Sequence, residues 1–78
     1  MPTVLIADGK RFFFYSNESQ EPPHIHVAHA ERYAKFWLEP VSLARNVGFR
    51  GAEISWLRRF VAENRSVFLQ AWNEHFTE

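Results

Sequence analysis

A single change of hydrophobic period divides this chain and constrains its fold more than any other feature. From Thr3 to about Leu38, short runs of β-branched and aromatic residues alternate with polar ones, which is typical of β-strands. After Gly51, apolar residues recur at steps of three and four, which is typical of a helix that packs one face on a sheet. The two patterns together predict an α+β fold: a small antiparallel sheet of about four strands, followed by a helical layer on one face.

Turn residues divide the strand region. Asp8 and Gly9 favour a tight hairpin turn, because both tolerate a positive φ. Segment 17–23 is polar and ends in two prolines, which deliver the chain in an extended conformation. Between these breaks the alternation predicts four strands: Thr3–Ala7, Lys10–Ser16, His24–His29 and Tyr33–Leu38.

The helical region is predicted over residues 52–76. Asn64 and Arg65 lie near its middle, so the pattern fits one kinked helix or a pair of helices. Residues 41–45 fit either a short edge strand or a single helical turn. The apolar stripe that indicates the helical layer consists of Ile54, Leu57, Val61, Phe68, Trp72 and Phe76.

Size and composition narrow the class of protein. A chain of 78 residues is expected to form one domain over residues 1–78. Its 9 Lys and Arg balance 9 Asp and Glu, so nucleic acid is not strongly indicated as a partner. The absence of cysteine excludes disulfides and thiolate metal ligands. With no signal-peptide pattern and no run of roughly 20 apolar residues, we expect a cytoplasmic protein without a membrane partner.

The most distinctive motif is the histidine pair in the segment Pro-Pro-His-Ile-His-Val. His24 and His26 stand two residues apart on a predicted strand, so both side chains should leave the same face with Cα atoms roughly 6.5–7 Å apart. Both imidazoles could then reach one phosphate or one metal ion. The alternative is a structural role, with both rings hydrogen-bonded across the sheet or paired with Glu21.

One chemistry open to this pair is metal-independent phosphodiester cleavage. One imidazole would act as general base and the other as general acid, since histidine holds both protonation states near neutrality. An arginine would then stabilise the phosphate charge, and Arg45 or Arg50 is the candidate clamp.

The other chemistry is metal binding, which needs at least a third ligand. His29 lies on the opposite face of a regular strand. The nearest carboxylates in sequence belong to Glu18, Glu21 and Glu31. Because none stands at a recognisable ligand spacing, the sequence assigns no metal ligands and no cofactor.

Aromatic residues exceed what one small core is expected to need. The chain has 8 Phe, 3 Trp and 2 Tyr. Tyr33 and Trp37 share the strand face opposite Phe36, while Trp56 and Phe60 lie off the centre of the helical stripe. We predict these four aromatic residues as partner-binding positions.

Five segments carry a resemblance: residues 1–5, Arg11–Glu18, Glu21–Val27, Ala34–Leu38 and Ala71–Phe76. Together they resemble a family of small bacterial and archaeal proteins known as domain of unknown function 4160. The positions that match its signature are Glu21, Pro22, Pro23, His24, His26, Lys35 and Trp37. The family has no established activity. Its members are often encoded beside a second small protein, as in toxin–antitoxin pairs, which implies a heteromeric partner.

The leading interpretation is therefore a cytosolic prokaryotic protein that binds a small protein from a neighbouring gene, as one component of a toxin–antitoxin-like pair. Association of identical copies is a second way to cover the surplus aromatic surface. Whether the chain is an enzyme is left open. The alternatives are a ribonuclease-type toxin and a metal-binding protein, both using His24 and His26.

Overall fold

The computed structural model, which describes residues 3–76, contains one antiparallel sheet of five strands in sequential order. The strands are β1 (Thr3–Ala7), β2 (Lys10–Phe13), β3 (His24–His29), β4 (Arg32–Leu38) and β5 (Val41–Val47). Two helices follow, α1 (Gly51–Glu63) and α2 (Arg65–Phe76). The predicted α+β class is confirmed. Residues 1–2 and 77–78, the two ends of the predicted domain, lie outside the described range.

The strand count is five, against the predicted four or so, because the ambiguous segment 41–45 belongs to a full edge strand. β5 pairs with β4 from Leu38 opposite Val41 to Tyr33 opposite Val47. By contrast, β2 ends at Phe13, three residues earlier than predicted. The backbone N–H of Tyr15 donates to the Glu18 side chain at 3.0 Å, so it is not available to the neighbouring strand.

Two of the hairpins, β1–β2 and β3–β4, have turns that contain residues with positive φ. Asp8 (φ 53°) and Gly9 (φ 76°) form the β1–β2 turn, both with positive φ as a type I′ turn requires. The β3–β4 turn places Ala30 at φ 56°, a conformation that is uncommon for a residue with a Cβ. The predicted hairpin at Asp8 and Gly9 is confirmed.

The helical region is a pair of helices that meet at Asn64. The Asn64 side chain donates to the carbonyl oxygen of Phe60 at 2.9 Å, and its φ of −108° interrupts the regular helix. Arg65 then fixes the start of α2, since its Nε donates to the Leu38 carbonyl oxygen at 2.6 Å. Arg32 fixes α1 to the sheet by donating to the Glu53 carboxylate at 2.9–3.0 Å.

The hydrophobic core lies between the helices and one face of the sheet. Alternation along the strands turns Phe12, Ile25, Val27 and Phe36 into this core. The helices contribute the buried residues Ile54, Leu57, Val61, Phe68 and Trp72. Within residues 3–76, no helix lies on the other face of the sheet. No helix in this range has the length and apolar character needed to cross a bilayer.

The positive φ of Gly9 in the β1–β2 turn predicts that two glycine substitutions change the free energy of unfolding by different amounts. Gly9→Ala should lower the free energy of unfolding by about 1–2 kcal/mol, because an L residue is strained at positive φ and the new Cβ would stand 3.2 Å from His29 Cε1. Gly51→Ala is the matched control: nothing lies within 4 Å of its Cβ, and alanine favours the helix that begins there. Urea unfolding of both variants tests this, and equal stability would contradict the assigned turn.

Candidate functional site

His24 and His26 lie side by side at the start of β3, on the sheet face that carries no helix. Their ring centroids are 4.9 Å apart, as expected for residues two apart on a strand. The geometric prediction for the pair is therefore confirmed. Both rings are enclosed, with His24 0% exposed and His26 3% exposed.

Glu18 is the residue that joins the two imidazoles. It belongs to the loop between β2 and β3, and its side chain is 13% exposed. One carboxylate oxygen lies 2.9 Å from His24 Nε2, and the other lies 2.9 Å from His26 Nε2. Sequence analysis named Glu18 only as one of three nearby carboxylates, and the structure selects it from the three.

The other two carboxylates have different positions. Glu21 accepts a hydrogen bond from Lys35 Nζ at 2.6 Å, and its nearest approach to the pair is 3.8 Å, to His24 Nδ1. Glu31 is exposed in the β3–β4 turn. The loop fixes Glu18 in its place because the Tyr15 backbone N–H donates to the Glu18 carboxylate.

The second nitrogen of each imidazole also has a partner. His24 Nδ1 lies 2.9 Å from the Pro22 carbonyl oxygen, which can only accept, so Nδ1 is the protonated nitrogen. His26 Nδ1 lies 2.6 Å from the Tyr33 hydroxyl. These contacts fix both ring orientations and aim both Nε2 atoms at Glu18.

Aromatic side chains enclose the two histidines. Trp72 of α2 packs on His24 with ring centroids 4.7 Å apart, at the end of the sheet where β3 begins. Phe13 stacks on His26 at 5.4 Å, and Tyr15 meets it edge-on at 4.9 Å. Glu18, His24 and His26 are here called the His–Glu cluster. This cluster is therefore a polar site that aromatic side chains shield from water.

Burial and hydrogen bonding have opposite effects on the pKa values of the two groups Glu18 and His26. Burial lowers the pKa of His26 below its ordinary value, and the nearby Glu18 carboxylate only partly offsets this. Burial alone would raise the pKa of Glu18, but the two imidazoles and the Tyr15 N–H stabilise its charged form, so its pKa lies below the usual range. Burial also raises the pKa of Tyr33.

The two candidate phosphate clamps are separated. Arg45 is exposed on β5, where it is the cross-strand neighbour of Lys35, which is itself opposite His26. Arg50 directly precedes α1, and its backbone N–H donates to Glu53 at 3.3 Å. The structure therefore brings Arg45 to the sheet face that carries His24 and His26, here called the histidine face, and leaves Arg50 with the helical layer.

The four predicted partner-binding aromatics also divide between two surfaces. Tyr33 bonds His26, and Trp37 lies opposite His24 under Lys35 Nζ at 4.5 Å, so both belong to the histidine face. Phe60 packs on Phe12 in the helical layer, with ring centroids 5.0 Å apart. Trp56 in turn stacks on Phe60 at 5.0 Å.

A shallow groove lies elsewhere, between β1 and α2. Its lining residues are Thr3, Val4, Phe14, Ala71, Glu74 and His75. None of them belongs to the His–Glu cluster, so the groove and the cluster are separate features.

A comparison with family models identifies the class to which this fold and motif belong. The chain belongs to the family described as Domain of unknown function (DUF4160), whose model matches residues 9–73. The match covers the predicted signature from Glu21 to Trp37. No curated protein and no solved structure matches the chain.

The depressed pKa values predict acid sensitivity. For His26 and Glu18 the unfolded chain takes up protons at a higher pH than the folded one, so stability is lost as pH falls below about 6.5 and again below about 4.5. Glu18→Gln should cost about 1–3 kcal/mol near pH 7, because it leaves a buried imidazole without its charged partner. The difference from the unsubstituted protein should shrink below about pH 4.5.

Urea unfolding across this pH range, in buffer with a chelator, measures the effect. Glu31→Gln removes an exposed carboxylate from the β3–β4 turn and is the control, with an expected change within about 0.5 kcal/mol. Parallel stability curves for Glu18→Gln and the unsubstituted protein at every pH would contradict the assigned pairing.

Proposed function

We propose that this protein acts by binding a small protein partner across the sheet face without a helix, as one component of a toxin–antitoxin-like pair. The observation that carries the proposal is the composition of this face, which displays aromatic and basic side chains. Tyr15 is 41% exposed, and Arg45 is exposed on the edge strand β5. Tyr33 and Trp37 are half-buried on the same face.

Aromatic residues held in place by their neighbours suit a binding surface. Tyr33 is fixed by its hydroxyl contact with His26, and Trp37 is covered on one side by Lys35. Pre-ordered Tyr and Trp side chains lose little conformational entropy when a partner packs on them. In the helical layer, Trp56 and Phe60 are half-buried as well, but they pack against the hydrophobic core.

The charge on this face favours an acidic partner. Arg11 lies over the Phe13 ring at 4.2 Å, and Lys35 is paired with Glu21. Arg45 is the more exposed cation of the three. Since the whole chain has a formal net charge of zero, the attraction is local to the face and would guide the orientation of the partner.

The identity of the partner follows the family resemblance. Members of this family are often encoded beside a second small protein, and that protein is the partner proposed for this chain. Phosphodiester cleavage has less support, because His24 and His26 are buried under Glu18 and Trp72. A phosphate could contact their Nε2 atoms only after the Glu18 loop had moved.

The proposal predicts that charge reversal at Arg45 weakens the complex with the product of the adjacent gene. Arg45→Glu should raise the Kd by at least about 10-fold, because it places a negative charge against an acidic surface. Arg58→Glu makes the same charge change on the exposed side of α1 and should leave the Kd within about 2-fold. Calorimetric titration of the two purified proteins measures both values.

Two results would overturn the proposal. One is the absence of binding between the purified proteins. The other is an equal loss of affinity in Arg45→Glu and Arg58→Glu, which would place the contact away from the sheet face or show a non-specific charge effect.

A further inference from the structure

We propose that Glu18, His24 and His26 bind a divalent transition-metal ion, and that zinc is the ion their donor set fits best. Each residue offers one ligand atom, and these atoms lie within 4.8 Å of one another. Ligands that share a tetrahedral zinc ion at about 2.0–2.1 Å stand about 3.3 Å apart. The Glu18 carboxylate is 2.9 Å from each Nε2, so small side-chain shifts would produce a ligating arrangement.

The His24 ring gives an independent reason to expect a cation here. With Nδ1 donating to the Pro22 carbonyl, Nε2 is the ring nitrogen that faces the site and can bind a proton or a metal ion. This fully buried Nε2 has no hydrogen-bond partner, although a Glu18 oxygen stands 2.9 Å away. A proton or a metal cation must lie between this nitrogen and the carboxylate oxygen, and a divalent metal ion in that place would be ligated by both.

The outer contacts of the His–Glu cluster are those of metal-ligating histidines. Such histidines almost always use their second ring nitrogen to bond a carbonyl, a carboxylate or another polar group. His24 bonds the Pro22 carbonyl oxygen, and His26 contacts the Tyr33 hydroxyl. Both rings are therefore oriented with Nε2 toward the site before an ion arrives.

The donor types determine which metal is expected. Imidazole nitrogen favours zinc, copper, iron and nickel, whereas magnesium and calcium prefer a shell of oxygen ligands. Two histidines and one glutamate form a known ligand set of zinc sites that keep a further position for water or substrate. Lys35 is the nearby cation, and its pairing with Glu21 at 2.6 Å offsets its repulsion of an incoming ion.

The test uses the untagged full chain, stripped with a chelator and titrated with zinc chloride by calorimetry. We expect one zinc ion per chain and a higher Tm for the zinc-loaded protein. Glu18→Gln should weaken zinc binding by more than about 100-fold, since loss of a direct ligand should cost more than loss of a group that only bonds a ligand. Tyr33→Phe removes the hydroxyl that contacts His26 Nδ1 and should weaken zinc binding by about 10-fold.

Glu21→Gln is the matched control, because it makes the same change in the same loop at a carboxylate that does not reach either Nε2. Its zinc affinity should fall by much less than that of Glu18→Gln, because this variant loses only the charge that offsets Lys35 and keeps all three ligands. Cobalt titration gives a second readout: we expect visible d–d absorption bands in the unsubstituted protein and in Glu21→Gln, and their loss in Glu18→Gln. Circular dichroism shows whether each variant is folded.

The proposal is wrong if the folded protein shows no saturable zinc binding. It is also wrong if Glu21→Gln and Glu18→Gln lose affinity equally, since binding would then come from general surface charge. Neither result depends on the protein partner, so this test and the partner-binding test can fail separately.

Discussion

The contact between the Glu18 carboxylate and two buried imidazoles is the interaction on which the histidine face depends. It holds the loop between β2 and β3 over the start of β3, where both Nε2 atoms lie 2.9 Å from carboxylate oxygens. Three groups that prefer water are thereby enclosed together. Burial of polar groups is unfavourable unless each one is satisfied, so the site stays enclosed only while its members satisfy one another.

This requirement connects the cluster to the rest of the fold. The strand alternation that turns Ile25 and Val27 into the core also turns His24 and His26 to the opposite face. The core is therefore the reason that the two rings share a face. Trp72 links the two sides, since it belongs to the core and also packs on His24 at 4.7 Å. A metal ion at the cluster would strengthen the loop and the end of the sheet together.

Hydrophobic periodicity in the sequence was sufficient to predict the strands and helices whose side chains alternate regularly between a buried and an exposed face. The two-residue period predicted the shared face of His24 and His26, and the three- to four-residue period predicted the helical layer. Segment 41–45 remained ambiguous because a short apolar run fits either period, and only its pairing with β4 makes it part of a strand. The role of Glu18 had no such signal: it lies in a loop, and its position depends on a bond to the Tyr15 backbone.

The aromatic residues show the same limit. A wide helical stripe predicted Trp56 and Phe60 as surface for a partner, yet their packing depends on where α1 lies across the sheet. The structure places Phe60 on Phe12 and Trp56 on Phe60, so both pack against the core and remain half-buried. Local sequence spacing does not encode the position of one layer on the other.

The convergence of three ligand atoms is tested most directly by a crystal structure of the chain grown with zinc, with anomalous data collected at the zinc edge. The account predicts one strong anomalous peak about 2.0–2.2 Å from the Nε2 atoms of His24 and His26 and from the Glu18 carboxylate. A structure from the same crystals with no peak there, and with the Glu18 carboxylate hydrogen-bonded to both imidazoles, would contradict it.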